Sequence, residues 1–212
     1  MSEAAITEAT IAVMDQWTAA IAGESPLFHV GFPTLTGKGD QDAGVQLQEK
    51  ALSGHLVLRG DKDSFSAAVE KVTGMVLPET LMSSSHGEQT LRWVSPDEWL
   101  LTLPADQAFG VETALRAEMS GHYAIVNVSG GQTILLLSGN DAVSVLMKST
   151  PYDVHERNFP VGKVVTTVFA KTQALIRRCD EQQWELVIRR SFADYVWLWL
   201  QDACREYGMV IR

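Results

Sequence analysis

The sequence has few cysteines and no long run of basic or of apolar residues. Among its 212 residues are two cysteines, Cys179 and Cys204. That number excludes a disulfide-stabilised scaffold and favours a reducing cytoplasm. The apolar stretches end well before the roughly 20 residues that a bilayer-spanning helix needs, so we expect no membrane association. The amino terminus lacks the basic and apolar segments of a secretory signal, and we expect a cytoplasmic protein.

Positive charge is also scarce. The chain has 17 Lys and Arg against 26 Asp and Glu, a formal net charge of −9, and no basic run is longer than two residues. Because nucleic acids are bound by clustered Lys and Arg, we expect no nucleic-acid partner. Hydrophobic residues make up 46% of the chain. A chain of this length can therefore bury a core, as one large domain or two small ones.

Residue types that often carry chemistry form no known motif. The segment "GFPTLTGKGD" at 31–40 is similar to a phosphate-binding loop, but it has one residue too many between its first glycines, and Gly39 stands where Ser or Thr is needed. The five histidines lack metal-ligand spacing, and "SSSHGE" at 83–88 is interpreted as a polar loop. We therefore expect no catalytic residue, no cofactor-binding residue and no metal ligand in this chain.

The chain is predicted to consist of an amino-terminal segment and two halves. Residues 1–25 carry apolar residues near helical spacing, which predicts an amphipathic helix. Residues 26–48 contain Gly, Pro and Asp with little periodicity, which predicts an extended arm. The predicted boundaries are 1–48 for this segment, 49–122 for a first α+β half and 123–212 for a second.

The two halves repeat one pattern. "LRWVSPDEWLLTLP" at 91–104 and "LIRRCDEQQWELVIRR" at 175–190 each predict a strand, an acidic turn, a Trp and a second strand. "LVLRGDKDSFSAAVEKVTGMVLP" also aligns with "ILLLSGNDAVSVLMKSTPYDVHE". This pattern indicates a diverged internal duplication. Because each half is too small to bury the apolar face of its sheet, we predict an α+β fold of two packed halves with antiparallel sheets.

Two pairs of residues mark the duplication most clearly. Gly60 in the first half aligns with Gly139 in the second, and Trp99 aligns with Trp184. Sequential hairpins with interspersed helices are typical of antiparallel sheets rather than of a parallel doubly wound sheet. We therefore expect each aligned pair to occupy equivalent places in the two halves.

The second half is predicted to begin with two strands on either side of a turn. "AIVNV" at 124–128 and "TILLL" at 133–137 flank an "SGG" turn. Asn140 is the predicted cap of the short helix that follows. Ser191 and Asp194 resemble a capping box at the start of the last helix.

The last helix is apolar on nearly every side. One stripe has helical spacing: Phe192, Tyr195, Val196, Trp199, Leu200 and Ala203. Trp197 and Leu198 lie well off that stripe, so a second face must also be covered. Either the amino-terminal arm covers it or another chain does, and the sequence leaves both alternatives open. Because Trp and Tyr are favoured interface residues, we predict Tyr195, Trp197 and Leu198 as candidate interface residues.

These segments carry a family resemblance. "VNVSGGQTILLLSGNDAVSVLMKSTPYDVHE" and "RSFADYVWLWL", together with "PDEWLL" in the first half, resemble the gamma-subunit family of bacterial heterotetrameric sarcosine oxidases. The resemblance covers about residues 25–212, and "PDEWLL", "LSGNDA" and "RSFADYVWLWL" in this order make it specific.

The resemblance implies a fold and a function. The fold would consist of two duplicated ferredoxin-like halves, similar to the folate-binding domain of aminomethyltransferases. The partners would be the alpha, beta and delta subunits of sarcosine oxidase, which would carry FAD, FMN, NAD and zinc. The complex would oxidise sarcosine to glycine with formation of hydrogen peroxide and, with tetrahydrofolate, of methylene-tetrahydrofolate. The gamma subunit would be a structural subunit without catalytic residues.

One position departs from the aminomethyltransferase pattern. Asn127 stands where those enzymes have an Asp in a "VDLS"-like segment, so no folate-binding acid can be transferred to this chain. Two alternatives remain open at this point, an assembly subunit of a related N-methylated amino-acid dehydrogenase and a stand-alone folate-binding one-carbon protein. A third is a globular domain that forms a homodimer through its apolar last helix.

Overall fold

The computed structural model describes residues 23–37, 39, 42–50 and 52–212. Residues 1–22, most of the predicted amphipathic helix, lie outside the described residues. The strands are β1 (Val45–Lys50), β2 (Ser53–Gly60), β3 (Ser83–His86), β4 (Gln89–Ser95), β5 (Glu98–Pro104), β6 (Tyr123–Asn127), β7 (Gln132–Ser138), β8 (Val164–Phe169), β9 (Thr172–Asp180), β10 (Gln183–Arg189) and β11 (Met209–Ile211). The α-helices are α1 (Phe32–Leu35), α2 (Lys62–Thr73), α3 (Ala108–Glu118), α4 (Ala142–Ser149) and α5 (Ala193–Ala203).

The first sheet is a ferredoxin-like unit with one added strand. Its order is β3-β4-β5-β2-β6, and every neighbouring pair is antiparallel. The chain order β2-α2-β4-β5-α3-β6 is the β-α-β-β-α-β sequence of ferredoxin-like folds. The predicted hairpin at 91–104 is confirmed as β4 and β5, joined by a turn at Pro96 and Asp97.

The second sheet repeats this arrangement and adds a further strand. Its order is β11-β1-β7-β10-β9-β8, and the unit β7-α4-β9-β10-α5-β11 matches the first half element by element. The predicted hairpin at 175–190 is confirmed as β9 and β10. Strand β1 lies between β11 and β7, parallel to the former and antiparallel to the latter. The duplicated antiparallel α+β architecture is thus confirmed.

Sheet membership corrects three details of the predicted organisation. Residues 45–50 are strand β1 of the second sheet rather than part of an extended arm, and the segment before them contains the short helix α1. Strand β6, placed in the second half by the boundary at 122, pairs with β2 in the first sheet. The two strands predicted around the turn at 129–131 are confirmed as β6 and β7, but they belong to different sheets rather than to one half.

Helices cover one face of each sheet, and the other two faces meet. One apolar cluster lies between the first sheet and α2 and α3, a second between the second sheet and α4 and α5. A third cluster joins the sheets, with Leu100 from β5 packed against Ile134, Leu175 and Val187. Side chains alternate between the two faces of each strand, which explains how both faces of each sheet are buried. The layers therefore run helix, sheet, sheet, helix.

The aligned residue pairs occupy equivalent positions, as predicted. Trp99 and Trp184 are the second residues of β5 and β10, and both are buried in the helix-side clusters. Gly60 ends β2 and Gly139 directly follows β7, which are the first strands of the two units, and their φ angles are 154° and 109°. At Gly139 a Cβ atom would lie 2.3 Å from the carbonyl oxygen of Gly44, so only glycine fits there.

Two predicted helix caps are wrong. Asp141, rather than Asn140, is the N-cap residue of α4, and it makes no side-chain capping bond. Helix α5 follows directly from a 3-10 turn at Arg190–Phe192, so its first amides continue a helical segment and no capping box forms. Oδ1 of Asp194 instead lies 2.6 Å from Nε2 of His29.

Candidate functional site

Polar side chains occupy part of the junction between the two sheets. In β4, Leu91 faces the helices, so its neighbour Arg92 faces the other sheet. In β10, Trp184 faces the helices, so Glu185 faces the junction. We use the name junction site for Arg92, Thr102, Arg177, Glu185 and His55.

One carboxylate oxygen connects the two halves. Oε2 of Glu185 lies 2.6 Å from Nη2 of Arg92 and 2.9 Å from Nη1 of Arg177. Arg92 is 0% exposed and Glu185 is 5% exposed. Arg92 belongs to the first sheet, while Glu185 and Arg177 belong to adjacent strands of the second sheet. The group is therefore a buried, charge-assisted cross-link between duplicated units.

Further guanidinium donors of Arg92 and Arg177 find partners at the junction, whereas Nε of Arg92 has none within the described residues. Arg92 donates through Nη1 to Oγ1 of Thr102 at 2.6 Å. Arg177 donates through Nε to Oγ of Ser83 at 2.8 Å and through Nη2 to Oγ of Ser85 at 3.0 Å. The predicted polar loop at 83–88 is thus largely an edge strand, β3, whose serines bind an arginine of the other half.

The charges fix the protonation of the acidic groups. Burial alone would raise the pKa of Glu185, but Arg92 and Arg177 outweigh this effect and lower the pKa to about 2. Burial raises the pKa of the nearby Cys179 thiol to about 12, and the charge of Glu185 adds to the rise. At neutral pH Glu185 is thus a carboxylate and Cys179 a neutral thiol. A general acid or base needs a pKa near the working pH, so this pair is poorly suited to proton transfer.

His55 is the least satisfied member of the junction site. Its side chain is 1% exposed, and neither ring nitrogen has a hydrogen-bond partner among the described residues. Burial lowers the pKa of His55 to about 4, and the charge of Arg92 contributes to the shift. His55 is therefore neutral and enclosed near pH 7.

The described residues also contain no group of three or more His, Cys, Asp or Glu side chains arranged to hold a metal ion. Among the same residues, no helix combines the length and the apolarity needed to cross a membrane. The junction site thus has the properties of a structural ion network. Removing one partner of such a network leaves a buried uncompensated charge.

Comparison with known proteins identifies the family of this chain. The family model described as "Sarcosine oxidase, gamma subunit family" matches residues 59–206. The chain belongs to the sarcosine oxidase gamma subunit family. Its relatives include the sarcosine oxidase gamma subunit of Corynebacterium sp. (strain U-96), 31% identical over 187 residues that cover 87% of this chain and 91% of the relative. The gamma subunit of Corynebacterium sp. (strain P-1) is 32% identical over 175 residues, 81% of this chain and 85% of the relative.

Solved structures agree with this family. A chain of the heterotetrameric sarcosine oxidase from Corynebacterium sp. U-96, in complex with pyrrole 2-carboxylate, superimposes with a TM-score of 0.78 at 29% identity, covering 87% of this chain and 96% of that one. The glycine cleavage system aminomethyltransferase T from Bartonella henselae superimposes with a TM-score of 0.62 at 14% identity, covering 89% of this chain and 59% of that one. The second match concerns the fold alone and confirms the predicted aminomethyltransferase-like architecture.

The predicted interface residues of this gamma-subunit family member occupy different environments. Trp197 is only 8% exposed and packs against Phe32 with ring centroids 5.0 Å apart, so it lies in the core of the chain. The part of the second face of α5 that carries Trp197 is therefore covered by the amino-terminal segment, one of the two alternatives that the sequence left open. Tyr195 is half-buried, and Leu198 is 61% exposed. An interface on α5 therefore has Leu198 and Tyr195 available at the surface, whereas Trp197 is buried.

Sequence reasoning missed the junction site in this family member. The sequence did contain a signal, because Arg92 and Glu185 are charged residues flanked by apolar residues, in "LRWV" and "WELVI". Such a charge inside a strand that is buried on both faces requires a buried partner. The partner could not be identified from the sequence, since the two residues are 93 positions apart.

Proposed function

We propose that this chain is the non-catalytic gamma subunit of a heterotetrameric sarcosine oxidase. The observation that carries the proposal is the match of 87% of this chain to 96% of a chain from such a heterotetramer. Its partners are alpha, beta and delta subunits in the cytoplasm, and they hold FAD, FMN, NAD and zinc. The complex oxidises sarcosine to glycine and hydrogen peroxide, and transfers the one-carbon unit to tetrahydrofolate when it is present.

The role of this chain in the complex is structural. The ionisable groups of the junction site support this role, because they are buried in an ion network and joined to residues of both halves. A body cross-linked in this way offers a rigid surface to partners. We further propose that Leu198 and Tyr195 on the outer side of α5 contact a partner subunit, with Trp197 supporting them from the core.

Co-purification tests the assembly role directly. A tagged chain, expressed in its native host, should recover three further subunits in constant ratio, including a yellow flavoprotein that oxidises sarcosine. The isolated chain is the control, and it should neither oxidise sarcosine nor produce heat with tetrahydrofolate in calorimetry. Micromolar tetrahydrofolate binding by the isolated chain, without partner subunits, would contradict the proposal and favour a stand-alone folate-binding protein. Oxidation of another N-methyl amino acid in place of sarcosine would identify a related dehydrogenase.

A further inference from the structure

Strand β8 forms an edge of the second sheet without the usual protection. Its sequence "VVTTVF" contains no charged residue, no proline and no glycine. Natural edge strands are usually short, charged or interrupted by proline, because their free backbone groups attract other strands. The edge strand β11 has three residues, and the edge strand β3 is the polar sequence "SSSH". Strand β8 therefore differs from β11 and β3, and it shares its lack of charge, proline and glycine with the remaining edge strand β6, "YAIVN".

The register of β8 identifies its outward-facing backbone groups. The amide of Arg178 donates to the carbonyl of Lys163 at 3.1 Å, so Lys163 bonds towards β9. The next amide, that of Val164, donates away from β9 to the carbonyl of Leu81 at 2.8 Å. Because the direction alternates along an antiparallel strand, the N–H and C=O groups of Thr166 and Val168 also point away from β9.

The chain itself already adds a short strand to one end of this edge. Met82 forms an antiparallel bridge with Lys163, and the amide of Ser83 donates to the carbonyl of Gly162 at 2.9 Å. At the other end, the amide of Ala170 donates to the carbonyl of Ser149 at 2.6 Å. Between these ends, the outward groups of Thr166 and Val168 have no hydrogen-bond partner within the described residues.

A left-handed residue ends the intramolecular pairing. Leu81 has a φ angle of 61°, which a branched side chain rarely adopts. The amide of Met82 donates to the carbonyl of Glu79 at 2.9 Å and closes a turn that leads the chain away from β8. Strain of this kind is concentrated at functional positions. The open part of the edge is thus produced by a specific turn.

A cleft lies beside the open part of the edge. Its volume is about 250 Å³, and Thr166 is among its lining residues. Leu100, Leu175 and Val187 contribute apolar side chains to it, and Glu98 and Arg189 contribute charges of opposite sign. In strand-addition complexes, backbone bonds supply affinity and such pockets select side chains of the incoming segment.

We propose that the edge at Thr166–Val168 binds an extended segment of a partner subunit by β-strand addition, with one side chain of that segment in the cleft. The inference rests on the proposed function for the identity of the partner. It continues a strand pairing that residues 81–83 already begin. The seven residues from Val164 to Ala170 span roughly 20 Å, which admits about four or five residues of the incoming strand.

Amide hydrogen exchange tests this inference on the isolated chain and on the assembled complex. Residues 164–169 should exchange about a hundredfold more slowly in the complex, because the Thr166 and Val168 amides become hydrogen-bonded. Residues 123–127 of β6, an edge of the other sheet, serve as the control and should change little. Equal exchange of residues 164–169 in both states would overturn the inference. Protection that rises with the concentration of the isolated chain would assign the edge to a second copy and also overturn it.

Substitutions sharpen the test. Val168→Pro removes an outward N–H without removing a bond to β9, and Val168→Lys adds the charge that protects natural edges. The matched control is Val126→Lys, since Val126 and Val168 are both 48% exposed. Both Val168 variants should reduce partner recovery at least tenfold, whereas the control retains it. Thermal melting of each isolated variant checks folding, and Val168→Lys carries the test if the proline variant unfolds.

The outcomes separate this inference from the proposed function. A wild-type chain that recovers no partner subunit overturns both. A wild-type complex that assembles with an unprotected β8, or assembles equally with Val168→Lys, overturns the strand addition alone.

Discussion

The two halves share one topology but differ in how they are completed. The first sheet is built from a contiguous stretch, from β2 at residue 53 to β6 at residue 127. The second sheet also needs β1, which precedes the whole first half in the chain. Its core further includes Leu27 and Phe32 from the amino-terminal segment. The comparison shows that duplication fixed the common fold, while the amino-terminal segment was integrated into one copy only.

The junction site joins the two unequal copies, and removing its shared carboxylate should have the largest effect. Glu185→Ala leaves Arg92 and Arg177 buried without a counter-charge, so the free energy of unfolding should fall by about 3–5 kcal/mol. Chemical denaturation of the isolated chain measures this change. The control is Glu79→Ala, which breaks the exposed pair with Lys62 and should change stability by less than about 1 kcal/mol. Similar values for both variants would show that the halves are held together by other contacts.

Removing an apolar side chain from β1 tests whether the second half depends on it. Leu47→Ala should lower the free energy of unfolding by about 2–5 kcal/mol, because Leu47 is fully buried in the second core. Leu52→Ala is the control, since Leu52 is exposed. Hydrogen exchange should then accelerate mainly in the second sheet. Equal acceleration in both sheets would indicate that the two copies unfold as one unit.

The pH dependence of stability should reveal His55. Its pKa falls from 6.5 to about 4 on folding, so the folded state favours the neutral ring. The contribution of His55 to the free energy of unfolding is fully present above pH 6.5. It is lost as the pH falls towards 4, where the free energy of unfolding should be lower by about 3 kcal/mol. Denaturation at several pH values, with His55→Leu for comparison, measures it. A His55→Leu variant with the same pH slope as the wild type would assign the slope to other groups.

The surface of α5 should show the smallest effect on folding. Leu198→Asp replaces an exposed side chain and should change the free energy of unfolding by less than about 0.5 kcal/mol. Recovery of partner subunits should nevertheless fall, if this face contacts one of them. Gln201→Asp on the same helix is the control for added charge. Undiminished recovery with Leu198→Asp would remove Leu198 from the interface.

Local patterns allowed much of the fold to be predicted. The two hairpins depend on residues close in sequence, and Trp99 and Trp184 could be aligned because both follow an acidic turn. The membership of β1 in the second sheet and of β6 in the first could not be predicted, because strand pairing between residues far apart in the sequence leaves no local pattern. Trp197 illustrates the same limit. Its position on the helix indicated that another segment must pack against it, but that this residue is Phe32 depends on the tertiary fold.

The position of β1 also bears on the order of events during synthesis. Residues 53–127 contain every strand of the first sheet, so that unit can form as soon as they leave the ribosome. Strand β1 emerges earlier, yet its neighbours β7 and β11 begin at residues 132 and 209. It must therefore stay unpaired while most of the polypeptide is translated, and closing such distant contacts is slow. Nascent chains of this protein thus expose an unpaired strand of the kind that chaperones bind.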